Sequence, residues 1–225
     1  MERSRFLARI ERRLALPETP NLAHPLPEMP QPIPVAQYRE PASDLVTMFR
    51  AAAERVGAEV RQASHPRDVG SVIEEMIREE QVSSVVLSED PETALAAGSV
   101  TGLGILPFDR GRKIAGSQLG ITGSSGGIAR TGTVVVESRR AGGRGASLVP
   151  PVHLALLRTD RIVETPSAWW RSMHDRYPSG PPSQIVFITG PSRSGDIEQT
   201  LTIGVHGPTR LWICLLEGEL LLANI

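Results

Sequence analysis

The hydrophobic pattern alternates between helical spacing and short apolar runs, and this alternation constrains the fold more than any other feature. Residues 43–57 and 66–80 place apolar side chains three and four positions apart, which is typical of amphipathic helices. Short apolar runs follow them at 58–61 and 82–87. A helix between two short strands predicts a βαβ-type unit with parallel strands. The sequence therefore predicts an α/β fold with an open mixed or parallel sheet.

The second half of the chain is richer in strand patterns and holds most of the glycine. Helices are predicted near 91–97 and 165–177. Further strands are predicted at 104–107, 119–122, 132–137, 152–157, 184–189 and 211–216.

Two N-terminal segments precede this domain. Residues 1–16 are predicted to form an amphipathic helix, because Phe6, Leu7, Ile10 and Leu14 fall at helical spacing among five arginines. Residues 17–41 contain eight prolines, which neither a helix nor a central strand tolerates, so they are expected to form an extended connector. The predicted organisation is a helix over 1–16, a connector over 17–41 and an α/β domain over 42–225.

Composition excludes several classes of protein. A formal net charge of -1 argues against a nucleic-acid partner, and no apolar run is long enough to span a membrane. The arginine-rich N-terminus is compatible with a mitochondrial presequence, although Glu2 and Glu11 argue against it. We therefore expect a cytoplasmic protein.

Few residues are suited to cofactor or metal chemistry. Cys214 is the single cysteine, so the chain cannot supply the cysteine ligands of an iron–sulfur cluster. Lys113 is the only lysine, and Schiff-base chemistry would rest on it alone. The five histidines never pair at the spacing of helical metal ligands. We expect neither a metal site nor a bound cofactor.

The first of three informative segments covers residues 119–133. Ser124, Ser125, Gly126 and Thr131 lie between two apolar runs, a composition that suits a loop binding an anion through hydroxyl and backbone N–H groups. An ordinary turn accounts for the same residues. Neither a Walker loop nor a GxGxxG fingerprint is present.

The second segment, 139–153, places three arginines and three glycines before a strand. Arginine binds carboxylate or phosphate through a planar fork, and Arg144 is the best candidate for this role. His153 begins the strand, where a hydrogen-bonded packing histidine and a general base are both reasonable interpretations.

The third segment covers 188–198 and continues at 204–208. A strand that ends in Gly-Pro-Ser-Arg-Ser would direct backbone amides and the side chains of Ser192, Arg193 and Ser194 toward an anion. A helix cap at these serines, or an ion pair of Arg193 with a nearby carboxylate, is the alternative. His206 lies in a glycine-flanked turn suited to presenting an imidazole.

Taken together, the segments resemble the lactate utilisation protein C family, whose shared region is called the LUD domain. The resemblance rests on GITG at 120–123, IARTGT at 128–133, ASLVPPVH at 146–153, RIVET at 161–165, TGPSRSGDIEQTL at 189–201 and GVHGP at 204–208. It implies the fold of the ribose-5-phosphate isomerase, glucosamine-6-phosphate deaminase and CoA-transferase group. It also implies a part in oxidising L-lactate to pyruvate beside iron–sulfur partner proteins.

Two residues depart from the family pattern. Where the family usually carries an aspartate and a glutamate, this chain has Ser125 and Arg130. The CoA-transferase relatives use a glutamate nucleophile, and this loop offers none. Arg130 instead adds a positive charge, so the candidate anion-binding residues are Ser124, Ser125, Gly126, Arg130, Thr131, Arg144, Ser192, Arg193, Ser194 and His206.

Three functions remain open from the sequence. The first is a component of lactate utilisation that binds an organic or phosphorylated anion. The second is a stand-alone enzyme acting on sugar phosphates or acyl-CoA, and the third is a non-catalytic structural subunit. The sequence does not decide whether the protein is catalytic or forms a homo-oligomer.

Overall fold

A computed structural model of the chain describes most of the α/β domain. The described residues are 44–106, 114, 116–138, 145–177, 180–195, 201–203 and 206–217. The predicted N-terminal helix and proline-rich connector lie outside this part of the chain, as does Arg144.

Helices and strands alternate through the first half, and strands dominate the second. The α-helices are α1 (Leu45–Arg55), α2 (Pro66–Glu80), α3 (Ala94–Ala97), α4 (Gly145–Leu148) and α5 (Pro166–Arg176). The strands are β1 (Glu59–Ala63), β2 (Ser84–Leu87), β3 (Gly104–Leu106), β4 (Leu119–Gly123), β5 (Gly126–Ile128), β6 (Thr133–Glu137), β7 (Val152–Arg158), β8 (Ile162–Val163), β9 (Ile185–Ile188), β10 (Arg193–Gly195), β11 (Leu201–Ile203) and β12 (Arg210–Leu216). Short 3₁₀ turns lie at Pro91–Thr93, Gly98–Val100 and Thr159–Arg161.

The main sheet has six strands within the described residues, in the order β1-β12-β7-β4-β2-β3. Every pairing in it is parallel, as the βαβ pattern predicts. The two faces of the sheet are both covered, which is the usual arrangement for parallel strands. Apolar side chains of α2, such as Ile73 and Met76, pack on one face, and Phe49 and Ala53 of α1 pack on the other.

A second sheet lies against the main one and has the order β8-β5-β6-β9 in the described chain. Strands β5, β6 and β9 pair antiparallel, whereas β8 joins β5 in parallel. Trp169 of α5 is fully buried against Ile128 and Val135 of this sheet. Strands β10 and β11 form a separate antiparallel pair.

The structure corrects the sequence interpretation of residues 123–132. This segment contains a buried strand, β5, rather than a loop between two strands. The backbone φ of Gly126 and Gly127 is not positive. A Cβ at Gly127 would lie 2.7 Å from Leu157 Cδ2, and one at Gly126 would lie 2.9 Å from Trp169 Nε1. The glycines therefore permit close packing of β5 rather than a flexible cradle.

The coarser fold prediction is confirmed, because the structure is a mixed α/β fold with a parallel sheet. The assignment to the ribose-5-phosphate isomerase, deaminase and CoA-transferase group stays a prediction. No described helix has the length and apolar character needed to cross a membrane.

Candidate functional site

A cleft of about 200 Å³ lies where the amino ends of β7 and β12 approach β9. Its wall combines α4, the start of β7, the whole turn after β9 and the turn before β12. The lining residues are Ser147, Leu148, His153, Val186, Phe187, Ile188, Thr189, Gly190, Pro191, Ser192, His206, Gly207, Pro208 and Leu211. Imidazoles and hydroxyls supply the polar side chains, and no carboxylate occurs among these described lining residues. Such a surface suits a ligand that accepts hydrogen bonds.

His153 is the most deeply buried polar residue of the cleft, with none of its surface exposed. It is the second residue of β7, and its side chain lies on the same face of the sheet as Ala155 and Leu157. His153 Nε2 lies 2.9 Å from the hydroxyl of Thr122 on the adjacent strand β4. Its Nδ1 is buried and has no hydrogen-bond partner among the described residues. Burial lowers the pKa of His153 from its ordinary value of 6.5 to about 4, so the imidazole is neutral at pH 7.

Gly120 allows the helix before His153 to approach the sheet. His153 pairs with Gly120 in the β4–β7 register. A Cβ at Gly120 would lie 1.8 Å from the carbonyl oxygen of Ala146, inside the van der Waals contact distance. The glycine therefore permits α4, which carries Ser147 and Leu148, to form one wall of the cleft.

A chain of threonine hydroxyls leads to the opposite wall. Thr131 and Thr133 are joined by a 2.6 Å contact between their Oγ1 atoms. Thr133 Oγ1 lies 2.7 Å from Thr189 Oγ1, and Thr189 lines the cleft. Thr131 is exposed, so these hydroxyls connect the surface to the cleft wall. This chain also fixes the turn after β9 against β6.

Two of the predicted binding residues, Ser192 and His206, line the cleft. The backbone N–H of Ser192 donates to the carbonyl of Pro208 over 2.8 Å, which joins their two turns. His206 is exposed in the second turn. Gly190 has a φ of +78°, and a Cβ added there would lie 2.6 Å from the carbonyl oxygen of Val56.

The arginines predicted to bind an anion do not line the cleft where they are described. Arg193 is exposed, and its Nη2 donates to the carbonyl of Val56 over 3.3 Å, at the end of α1. Arg130 forms an ion pair with Glu164 at 2.5 Å. These two guanidinium groups therefore have protein partners, and their role in anion binding stays a prediction.

The predicted serines after β4 belong to a different part of the fold. Ser124 and Ser125 are buried at the carboxyl end of β4, and neither lines the cleft. The hydroxyl of Ser125 donates to the carbonyl of Val135 over 3.1 Å. Arg161 Nη1 donates both to the carbonyl of Ser124 and to Glu92 Oε1, at 3.1 and 2.6 Å. These contacts hold the β4–β5 connection in place.

The remaining candidates are less informative. Gly126 is a buried residue of β5, and Thr131 reaches the cleft only through the hydroxyl chain. The backbone of Ser194 is part of β10, and its side chain is not among those that the structure describes. Among the described residues, no group of three or more histidine, cysteine or acidic side chains could hold a metal ion.

The sequence interpretation missed Thr122, Thr133, Ser147 and Thr189, and it left the role of His153 open. Each of these residues lies within one of the segments that carry the family resemblance. The structure thus brings the GITG, TGT, ASLVPPVH, TGPS and HGP segments together around one cleft. The available signal in the sequence was that each residue lies in a segment that carries the family resemblance. That these segments meet in space is known only from the structure.

Comparison with a solved structure supports the architecture. The chain is similar to a DUF162 family protein from Deinococcus radiodurans, with a TM-score of 0.59 over 76% of this chain and 96% of that one. The sequence identity is 21%, so the likeness concerns the fold alone.

The sequence model of the LUD domain matches residues 46–216, and the chain belongs to the LUD domain family. It is 39% identical over 105 residues to lactate utilization protein C of Halalkalibacterium halodurans, which covers 46% of each chain. It is 40% identical over 96 residues to lactate utilization protein C of a Geobacillus species, strain WCH70, covering 42% of this chain and 40% of the relative. The match thus spans less than half the length of these relatives.

Proposed function

We propose that this protein is a component of L-lactate utilisation, the oxidation of L-lactate to pyruvate, and that it binds a small organic anion in the cleft. The names of its relatives support the first part of this proposal. The chain's single cysteine supports a division of labour in which iron–sulfur partner proteins carry the electrons. A cytoplasmic location follows from the same role.

One observation carries the anion-binding part of the proposal. His153 lines the cleft with a buried Nδ1 that has no partner among the described residues. An unpaired buried polar atom is costly, and a ligand oxygen would satisfy it once the side chains that cover His153 move aside, since none of its surface is exposed. The described lining residues include no carboxylate that would repel an anion.

The apolar part of the lining favours an organic acid. Val186, Ile188 and Leu211 form apolar walls beside the polar groups. A short carbon chain can contact these side chains while a carboxylate or carbonyl oxygen meets an imidazole or hydroxyl. Lactate and pyruvate have this combination of a methyl group and adjacent oxygens.

Calorimetric titration of the purified protein tests the binding site. Pyruvate, L-lactate, phosphate and sulfate would each be titrated into the wild type and into His206→Ala. Loss of one hydrogen bond to a charged ligand, about 1.5 kcal/mol, corresponds to roughly tenfold weaker binding. We expect this loss for the organic acids with little change in Tm, since His206 is exposed.

His65→Asn is the matched control, because it removes an exposed imidazole at the start of α2 and keeps a residue suited to a helix N-cap. It should leave the affinity unchanged. Heats of dilution alone for all four ions at millimolar concentration would contradict the anion-binding proposal.

Affinity purification from cells grown on lactate tests the partners. We expect iron–sulfur proteins to co-purify with the tagged chain, and to be absent when the tag is on an unrelated protein. Isolation of a clean monomer or homodimer would contradict the proposed complex.

A non-catalytic role is the second candidate, and one observation favours it. The positions that depart from the family pattern have structural partners, Ser125 at Val135 and Arg130 at Glu164. Turnover of sugar phosphates or CoA esters by the purified protein alone would exclude this role and would support a stand-alone enzyme. We expect no such turnover.

A further inference from the structure

We infer that Thr122 holds His153 in the Nδ1–H tautomer, so that a neutral imidazole donates a hydrogen bond to an oxygen of the ligand in the cleft. Thr122 is then a positioning residue, and His153 is the ligand-binding one. The ligand contact rests on the proposed function, whereas the tautomer does not.

The hydrogen-bond partners of the two side chains favour this tautomer. Thr122 Oγ1 and His153 Nε2 are 2.9 Å apart, and both side chains are fully buried. Within the described part of the chain, each of these atoms has only the other as a side-chain partner. One of the two must therefore supply the hydrogen of the bond.

The two tautomers differ in the number of buried groups that they leave unpaired. If Nε2 carried the hydrogen, it would donate to Thr122, and the threonine O–H and the Nδ1 lone pair would both lack partners. If Nδ1 carries the hydrogen, the threonine hydroxyl donates to Nε2, and only the Nδ1–H is left unpaired. The second arrangement leaves one unsatisfied group instead of two, so it is favoured.

A ligand oxygen can complete this arrangement. His153 is one of the lining residues, and the described chain provides no acceptor for its Nδ1–H. None of its surface is exposed, so the contact requires the side chains that cover the imidazole to move aside when the ligand enters. The ligand atom in contact with it must accept a hydrogen bond, as a carbonyl or carboxylate oxygen does. An ammonium group at that point would place two donors against each other. At this point the site therefore favours a carbonyl or carboxylate oxygen of a ligand over an ammonium group.

The same tautomer assigns a chemical role to His153. An Nδ1 that already carries hydrogen cannot accept a proton from a ligand, so the ring is a donor rather than a general base at this atom. The low pKa of the buried imidazole keeps the donor neutral at pH 7. The ligand thus meets a dipole and not a full charge at this wall of the cleft.

Nitrogen NMR of the ¹⁵N-labelled full chain tests the tautomer without any ligand. At pH 7 the spectrum distinguishes the protonated ring nitrogen from the unprotonated one, and the His153 signals are assigned by their loss in His153→Gln. We expect a single Nδ1–H form in the wild type and in Thr122→Ser, which keeps the hydroxyl. Thr122→Val should lose that preference. An Nε2–H form in the wild type would overturn the inference, whatever the variants do.

Titration with pyruvate tests the ligand contact. Thr122→Val should bind pyruvate more weakly, because only the Nδ1–H form binds: about twofold if its two tautomers become equally populated, and more if the Nε2–H form dominates. Thr122→Ser should restore binding. Equal affinity of the wild type and Thr122→Val would overturn the ligand contact. An Nδ1–H tautomer in a wild type that binds no organic acid would instead refute the proposed function, and with it the ligand contact.

Discussion

Acid should weaken this protein through His153 as the pH falls from 7 toward 4. The imidazole has a pKa of about 4 in the folded protein, against 6.5 in an exposed setting, because it is fully buried. The unfolded chain therefore binds a proton at pH 5 that the folded chain does not bind. Since the folded pKa is the lower one, stability is highest above pH 6.5 and falls as the pH drops toward 4.

The magnitude follows from the two pKa values. Linkage predicts a loss in the free energy of unfolding of about 2 kcal/mol between pH 7 and pH 5, and about 3 kcal/mol by pH 4. The window from pH 7 to pH 5 is the informative one. Asp160 and Glu217, whose pKa values are lowered by hydrogen bonds to Arg158 and to Gln62 respectively, stay ionised there in the folded protein.

Urea denaturation at pH 7, 6 and 5 measures this loss in the wild type and in His153→Gln. The variant lacks the titrating group. Between pH 7 and pH 5 its free energy of unfolding should therefore fall by about 2 kcal/mol less than that of the wild type, whatever its stability at pH 7. Parallel pH profiles for the two proteins would refute the assignment of a buried neutral imidazole. A steeper profile for the variant would refute it as well.

Three further predictions concern packing. Cys214 is fully buried and burial raises the pKa of its thiol to about 12, so it should react with an alkylating reagent only after unfolding, as mass spectrometry would show. Gly120→Ala should lower the free energy of unfolding by more than about 3 kcal/mol in urea denaturation, since its Cβ would overlap the Ala146 carbonyl. Gly98→Ala is the control and should be tolerated, because a Cβ at Gly98 has no atom within 4 Å. Trp169→Ala should lower the free energy of unfolding by about 3–5 kcal/mol, because Trp169 is fully buried. The neighbouring Trp170 is 52% exposed, so Trp170→Ala should lower the Tm much less in thermal melting.

The strands of the main sheet and the longer helices could be predicted from local sequence signals. Helix α2 begins at Pro66, a residue favoured in the first turn, and buries Val69, Ile73 and Met76 at helical spacing. Strand β12 is a continuous apolar run from Leu211 to Leu216, which is typical of a strand covered on both faces. Such signals lie within a few residues of one another, so sequence reading alone predicts the elements they define.

Strand β5 could not be predicted in the same way. A pair of glycines beside serines is typical of a turn, because glycine has wide conformational freedom. In this fold Gly127 is glycine for another reason, since a side chain there would meet Leu157 from β7. That neighbour lies 30 residues further along the chain, and only the packed structure identifies it.

The role of His153 depends on a similarly remote partner. The apolar run after Val152 predicted a strand, and the strand is present. Whether its histidine packs or binds depends on Thr122, which the parallel pairing of β4 and β7 brings to 2.9 Å. Sequence alone cannot show which face of a strand carries a hydrogen-bond partner when the neighbouring strand is not known.

Charge in the sequence was a poor guide to the cleft for a related reason. An arginine is visible in a sequence, but its partner is not, and Arg130 and Arg193 contact Glu164 and the Val56 carbonyl. Phosphate is bound most effectively by guanidinium forks that balance its charge. The described lining residues offer hydroxyls, backbone groups and two imidazoles instead. A singly charged carboxylate needs less compensation than a phosphate dianion, so this lining supports the proposed organic acid over a phosphate compound as the ligand.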